Sequence, residues 1–360
     1  MKRVVCLVCI VGCLMLFGCS KKENSAVAGN ESTAASAQGV RTLTISGFGL
    51  NEDPLWEYIL KPFEKQFNAK IILESGNNSE RLTKVTNNPN TDVDIIYLAQ
   101  SFAQKGFDEG AFEKLDYTQI PNAMQLHEKA HFLVDQKQGP AYTWNRLGII
   151  YDPAAIGFEI TAFSDLWRPE LRGKISIPDI STTFGPAMVV LAGEKAGVSY
   201  TEDGGTAAFG ALAELSPNIV KTYTKSSDLK NMFINGEIVA AVAAEFAYNS
   251  LMKSDNVNAV FIDPEEGSYL NFNTVNIVKN SKEKDLAYAF INYLVSPEVQ
   301  LIAAEKIPDA PINNQVQLPE NLSKRFTTAK EAETANIIDF KIVNGLMPQW
   351  VNQWNKTLNQ

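Results

Sequence analysis

The chain has 360 residues, 45% of them apolar and 20% charged, with a formal charge of −9 from 32 basic and 41 acidic side chains. That composition excludes a disordered or collagen-like protein, and the length exceeds what one hydrophobic core serves, so two domains are expected. The acidic balance leaves no basic surplus to neutralise phosphates, which argues against a nucleic-acid partner.

Lys2 and Arg3 open the chain, and residues 4–18 form an uncharged, mostly apolar run. The run is shorter than the roughly 20 residues of a membrane span and suits the core of a signal peptide over residues 1–18. All four cysteines, Cys6, Cys9, Cys13 and Cys19, lie in this part. The body beyond them therefore has no disulfide, cysteine-ligated metal or cysteine nucleophile. The run ends Leu16-Phe17-Gly18-Cys19, which resembles the bacterial lipobox, whose cysteine is diacylated after cleavage. An ordinary signal peptide is the alternative. With the lipid on Cys19, residues 20–40, rich in Ser, Ala, Gly and Asn, read as a flexible tether to a membrane anchor.

From Arg41 short strand-like runs alternate with helical ones. Thr42–Ile45, Ile71–Leu73 and Asp94–Tyr97 read as strands, separated by helical stretches at Leu55–Phe67 and Ser79–Val85. This β-α-β-α-β order predicts a parallel sheet with right-handed crossovers. A second series follows, with strands at Gly148–Tyr151, Lys174–Pro178, Glu237–Val242, Val260–Ile262 and Phe272–Val278. Helices are expected at Thr183–Ala196, Ala207–Leu215, Ser227–Ile234, Ser281–Val295 and Ile337–Leu358. Two α/β lobes result, with interlobe crossings at 139–147 and 263–272. A cleft between such lobes, outside the strand carboxyl ends, is the expected ligand site.

The two histidines of the chain fall in His127-Glu128-Lys129-Ala130-His131. On one helix that spacing presents two imidazoles to zinc with the glutamate as general base, the arrangement of a metallohydrolase. Lys129 inside the motif opposes a dication, and the segment between Pro121 and Gly139 is short, so two exposed histidines on a short helix are expected instead. No nucleophile elbow, phosphate loop or dinucleotide fingerprint is present. Neither catalysis nor a cofactor or metal is expected.

The segments Gly139-Pro140-Ala141-Tyr142-Thr143-Trp144 through Gly148 and Asp165-Leu166-Trp167-Arg168-Pro169 through Gly173-Lys174 carry a family resemblance. So do Asn235-Gly236-Glu237, the stretch Ala287–Leu294, and Ser296-Pro297-Glu298. They resemble, in the same order, the substrate-binding proteins of bacterial ABC importers in the group of spermidine/putrescine-, iron(III)- and thiamine-binding proteins.

The resemblance implies a type II periplasmic-binding-protein fold: two hinged α/β lobes, mainly parallel sheets with helices on both faces, closing on a small molecule. Lobe 1 is then 41–138 with 272–310, and lobe 2 is 142–268 with 311–360. It also implies an extracytoplasmic, monomeric protein that hands its solute to an ABC permease and its ATPase and touches the membrane only through its anchor. A lipoprotein adhesin retaining the fold is an alternative.

For the ligand, the resemblance carries over Phe48, Asn51, Asp53, Ser101, Phe102, Trp144, Glu245 and Tyr248, with Ser181, Thr182, Thr183, Phe272 and Asn273 at the two points of departure. A polyamine-like cation is the first expectation. At the second crossing, however, the sequence reads Asn271-Phe272-Asn273, without the family's carboxylate. Ser181–Thr183 opening a helix, with Arg146 nearby, suit an anionic or zwitterionic solute such as a phosphonate or phosphate ester.

Overall fold

The computed structural model describes residues 39–49, 51–254 and 257–358. The expected leader, Cys19 and the expected tether as far as residue 38 lie outside the described residues. Among those described, no helix is long and apolar enough to cross a membrane.

Among the described residues ten strands form one sheet: β1 (Arg41–Gly47), β2 (Ala69–Ser75), β3 (Ile95–Ala99), β4 (Ala141–Tyr151), β5 (Ile175–Pro178), β6 (Ile219–Tyr223), β7 (Ala240–Ala244), β8 (Val260–Ile262), β9 (Tyr269–Ile277) and β10 (Asn336–Ile337). The order is β2-β1-β3-β9-β4-β7-β5-β6, with β10 beside β9 and β8 beside β4. Two wings, β2-β1-β3 and β7-β5-β6, are parallel, as the alternating pattern predicted. The centre departs from that expectation, because β9 and β4 run antiparallel to each other and to the wings they adjoin.

These two long strands join the wings. β4 pairs with β9 over Ala141–Leu147 and with β7 over Leu147–Tyr151. β9 pairs with β4 over Tyr269–Thr274 and with β3 over Asn273–Ile277. Each therefore belongs to both wings.

Burial explains why the wings are strands. β3 (Ile-Ile-Tyr-Leu-Ala) and β7 (Ala-Ala-Val-Ala-Ala) are buried along their whole length, the mark of strands covered on both faces. Successive residues enter different cores: Ile95 and Tyr97 join one apolar cluster, Ile96 and Leu98 another. In the other wing Leu147 and Ile149 are separated from Ile150 in the same way. The residues expected to complete lobe 2, 311–360, divide between cores. Ile312, Leu322, Phe326 and Ala332 pack with the β1–β3 wing, and Phe340, Val343, Trp350 and Trp354 with the β5–β7 wing.

The histidine segment is not a single helix. Short 3-10 turns at Pro121–Gln125 and Glu128–Ala130 precede a helix over His131–Asp135. His127 is extended and caps the second turn through its Nδ1, which accepts from the Lys129 amide at 3.2 Å. The His131 Nε2 lies 2.9 Å from the Leu126 carbonyl. The two imidazoles thus lack the i, i+4 helical face that zinc ligation needs. His127 is also buried rather than exposed, its ring 5.1 Å from that of Trp144, and burial holds its pKa below the usual value.

Candidate functional site: an aromatic cleft over the crossing strands

A cleft of about 670 Å³ opens where the carboxyl ends of β1, β3, β5, β6 and β7 meet the middle of β4 and β9. Its position is the one expected for a ligand site in an open α/β sheet. The register of the crossing strands decides which side chains line it. In an antiparallel pair directly opposed residues share a face. Thr143 opposes Asn273, Asn145 opposes Asn271, and all four line the cleft.

Trp144 opposes Phe272, one residue out of phase, and these two rings turn to the other face. Trp144 borders the cleft, yet its indole is 2% exposed, packs near His127 and Phe272, and donates from Nε1 to the Thr327 carbonyl at 3.0 Å. Trp144 and Phe272, both expected to contact the ligand, are core residues.

Arg146 lies on the same side as Trp144, 6% exposed, and holds three carboxylates. Its Nε donates to Asp263 at 2.6 Å, its Nη1 to Glu245 at 3.0 Å, and its Nη2 lies 3.3 Å from Glu331. Thr327 donates to the second Glu245 oxygen at 2.7 Å. Glu245 begins the Glu245–Leu251 helix at the end of β7 and does line the cleft. Burial nevertheless pushes its carboxyl up to about 7, against the opposing pull of Arg146. The guanidinium expected to receive an anion is thereby occupied.

Ser181, Thr182 and Thr183 also line the cleft, but two of their hydroxyls are engaged within their own loop. Ser181 Oγ donates to the Asp179 carboxylate at 2.6 Å and Thr182 Oγ1 to the Asp179 carbonyl at 2.7 Å. They tie the loop that leads to the Gly185–Ala196 helix, whose N-cap is Phe184 rather than a hydroxyl residue.

Phe48, Asn51 and Phe102 line the cleft as expected. Arg81, buried beneath Phe48 with its guanidinium 4.3 Å from that ring, donates to the Ser46, Gly76 and Tyr97 carbonyls and knits the ends of β1 and β3 together. The capping box of Asn77 and Glu80 fixes the helix that carries it. The remaining expected residues are elsewhere. Asp53 is exposed outside the cleft, Ser101 offers its carbonyl to Asn344, and Tyr248 packs on Phe261 and donates to the Ala259 carbonyl.

Sequence reasoning missed Asp309, Tyr97 and Tyr142. The Tyr97 and Tyr142 rings lie 4.9 Å apart on the cleft floor, and the Tyr97 hydroxyl is buried with no hydrogen-bond partner. Asp309, half-buried in the loop after the Pro297–Lys306 helix, also lines the cleft. No donor or cation among the described residues pairs its carboxylate, and burial pushes it up to about 7. Both tyrosine hydroxyls are held above their ordinary pKa, by burial first and then by the charge of Asp309. Asn271, 3% exposed, likewise leaves its Oδ1 without a partner. A cleft with hydrogen-bond acceptors unmatched on its own walls is complementary to a donor.

Two α/β wings joined by two crossing strands, with a lined cleft above the crossing, have the architecture of a solute-binding protein. The comparisons agree. Residues 58–334 match the family described as "Bacterial extracellular solute-binding protein". An ABC transporter structure from Clostridium perfringens is 54% identical and superposes with a TM-score of 0.83 over 88% of this chain and 99% of its own. The putrescine-binding periplasmic protein of Escherichia coli is 28% identical over 66% of this chain and 69% of its own length. A gamma-aminobutyric acid-binding protein of Pseudomonas aeruginosa is 23% identical over 85% of this chain and 87% of its own. The chain belongs to the bacterial extracellular solute-binding protein family, whose members bind solutes and are not enzymes.

Proposed function

We propose that this protein is the lipid-anchored substrate-binding subunit of an ABC importer and captures a small organic solute through an ammonium group. The observation that carries the ammonium is Asp309, a carboxylate facing the cleft without a cation of its own, beside the unpartnered Tyr97 hydroxyl. An ammonium donates up to three hydrogen bonds and neutralises the buried charge. The names of the relatives, which include putrescine-, spermidine- and gamma-aminobutyrate-binding proteins, support the same chemistry. The phosphonate alternative has less support, because Arg146 and the Ser181 and Thr182 hydroxyls are engaged within the protein.

In this reading the wings are the two lobes, β4 and β9 are the hinge, and a monomer delivers the solute to a permease and its ATPase. Closure is driven by contacts that the solute makes with both lobes at once. Lipidation of Cys19 after removal of residues 1–18 holds the receptor at the membrane surface.

Thermal-shift screening of amines, amino acids and phosphonates tests the ligand class. A ligand at 100 times its Kd stabilises by about 2.7 kcal/mol. A shift with a phosphonate and with no amine overturns the reading. For the anchor, Cys19→Ser should move the protein from the membrane fraction to the soluble one.

A further inference from the structure

One wall of the cleft is held from behind by a cation that does not itself reach the lining. Arg81 is 3% exposed and stands outside the lining residues. Its Nε donates to the Gly76 carbonyl at 2.9 Å, and its Nη1 to the Ser46 carbonyl at 3.1 Å and to the Tyr97 carbonyl. Its Nη2 donates to the Asn78 Oδ1 at 3.3 Å, which also accepts from the Ala99 amide at 3.1 Å. One guanidinium thus gathers the ends of β1, β2 and β3. Phe48, Asn77, Asn78 and Tyr97, all in the lining, lie at these acceptors or within two residues of them.

All of these acceptors are uncharged. Burial lowers the Arg81 pKa only to about 10, so the group is a cation at neutral pH. Burying a charge without an opposite charge is costly, and an apolar side chain serves stability better at such a place. The guanidinium supplies something else: five donors in a rigid planar fork, which fix several backbone positions relative to one another. A lysine carries the same charge without the fork.

We propose that Arg81 is a positioning residue for solute capture, setting the Tyr97 hydroxyl and the Phe48 ring in place before the solute arrives. Tyr97 is held through its carbonyl, and its hydroxyl has no partner within the protein. The Phe48 ring lies 4.3 Å from the same guanidinium. A wall ordered in advance spares the solute the cost of ordering it on binding, and that saving appears as affinity. This rests on the ammonium reading above and adds a residue that acts on the solute only through others.

Calorimetry at pH 7.5 on the purified protein tests it, with putrescine and 4-aminobutyrate as probes. The proteins compared are wild type, Arg81→Lys, Tyr97→Phe and the double variant. Tyr97→Phe deletes a hydroxyl without a partner, so the fold is not at risk. Arg81→Lys should weaken the probe that binds by about tenfold or more. In the Tyr97→Phe background the same change should cost less than about threefold, because the group that Arg81 places is gone. A merely structural role makes the two losses multiply, and that result overturns the inference. An unchanged affinity in Arg81→Lys overturns it too. Arg81→Gln is the second variant; if neither Arg81 variant folds, the residue serves stability alone and the inference falls. If Arg81→Lys is neutral while Tyr97→Phe and Asp309→Asn weaken binding, the ammonium reading stands and only this inference falls. If neither probe binds, or Tyr97→Phe and Asp309→Asn both leave affinity unchanged, both fall.

Discussion

The Arg146 guanidinium donates to the Glu245 carboxylate across 3.0 Å, and both side chains are buried beside the crossing strands. Asp263 and Glu331 contact the same guanidinium, so three carboxylates share one cation. Glu331 lies on the 325–334 segment, while Glu245 follows β7, so the cluster ties β4 to two otherwise separate parts of the chain. Breaking a buried pair by removing one partner costs about 3–5 kcal/mol. Arg146→Met should lose stability on that scale, measured by urea unfolding; a change below about 1 kcal/mol contradicts the assignment.

The same cluster makes stability depend on pH. Glu245 has a folded value of about 7 against an ordinary 4.5, so the folded state binds the proton more tightly. Stability from such a group is present at low pH and lost as pH rises from about 4.5 to about 7. Asp309 acts in the same direction. Without ligand, Tm should therefore fall between pH 5 and pH 7.5, and Glu245→Gln should flatten the fall. An unchanged slope in that variant excludes Glu245 as its source.

Ligand affinity should run the opposite way. An ammonium requires ionised Asp309, so affinity should rise by up to about tenfold per pH unit below 7 and level off above it. Calorimetry at pH 5.5, 6.5 and 8 checks this. An affinity that falls as pH rises contradicts an ammonium on Asp309.

Trp144 separates packing from binding. Truncating a buried aromatic to alanine costs about 3–5 kcal/mol. Trp144→Ala should lower stability by that amount, yet the protein that remains folded should keep its ligand affinity within a few-fold. Lost affinity at retained stability would return the indole to the cleft.

Gly185 is required by the loop carrying Ser181–Thr183. A Cβ there would sit 2.1 Å from the Asp179 carbonyl and 2.5 Å from the Ile180 Cα, both backbone atoms. Gly185→Ala should destabilise by about 1–3 kcal/mol or more, the cost of overpacking. A neutral substitution would mean that this loop yields freely.

Much of the fold was legible in the sequence because parallel strands buried on both faces leave continuous apolar runs, as in β3 and β7. The antiparallel β9–β4 centre left no such mark, since pairing direction depends on strands about 130 residues apart. The burial of Trp144 was not legible for a related reason. Its face follows from the strand register, which shifts between Ala141 and Thr143, and neither the shift nor the Thr327 carbonyl that receives the indole is visible locally. Asp309 was missed because it lies in the irregular segment Lys306-Ile307-Pro308-Asp309-Ala310, with no periodicity to assign it a direction. The one available signal was a lone acid between apolar residues after a helix.

The central claim is that Asp309 receives the ammonium of the solute. The most direct measurement is the affinity of wild type and Asp309→Asn for the tightest-binding amine of the screen, by calorimetry at pH 7.5. The account predicts at least a hundredfold loss, with Tm in the absence of ligand unchanged or raised because a buried charge has been removed. Equal affinity in the two proteins would contradict it.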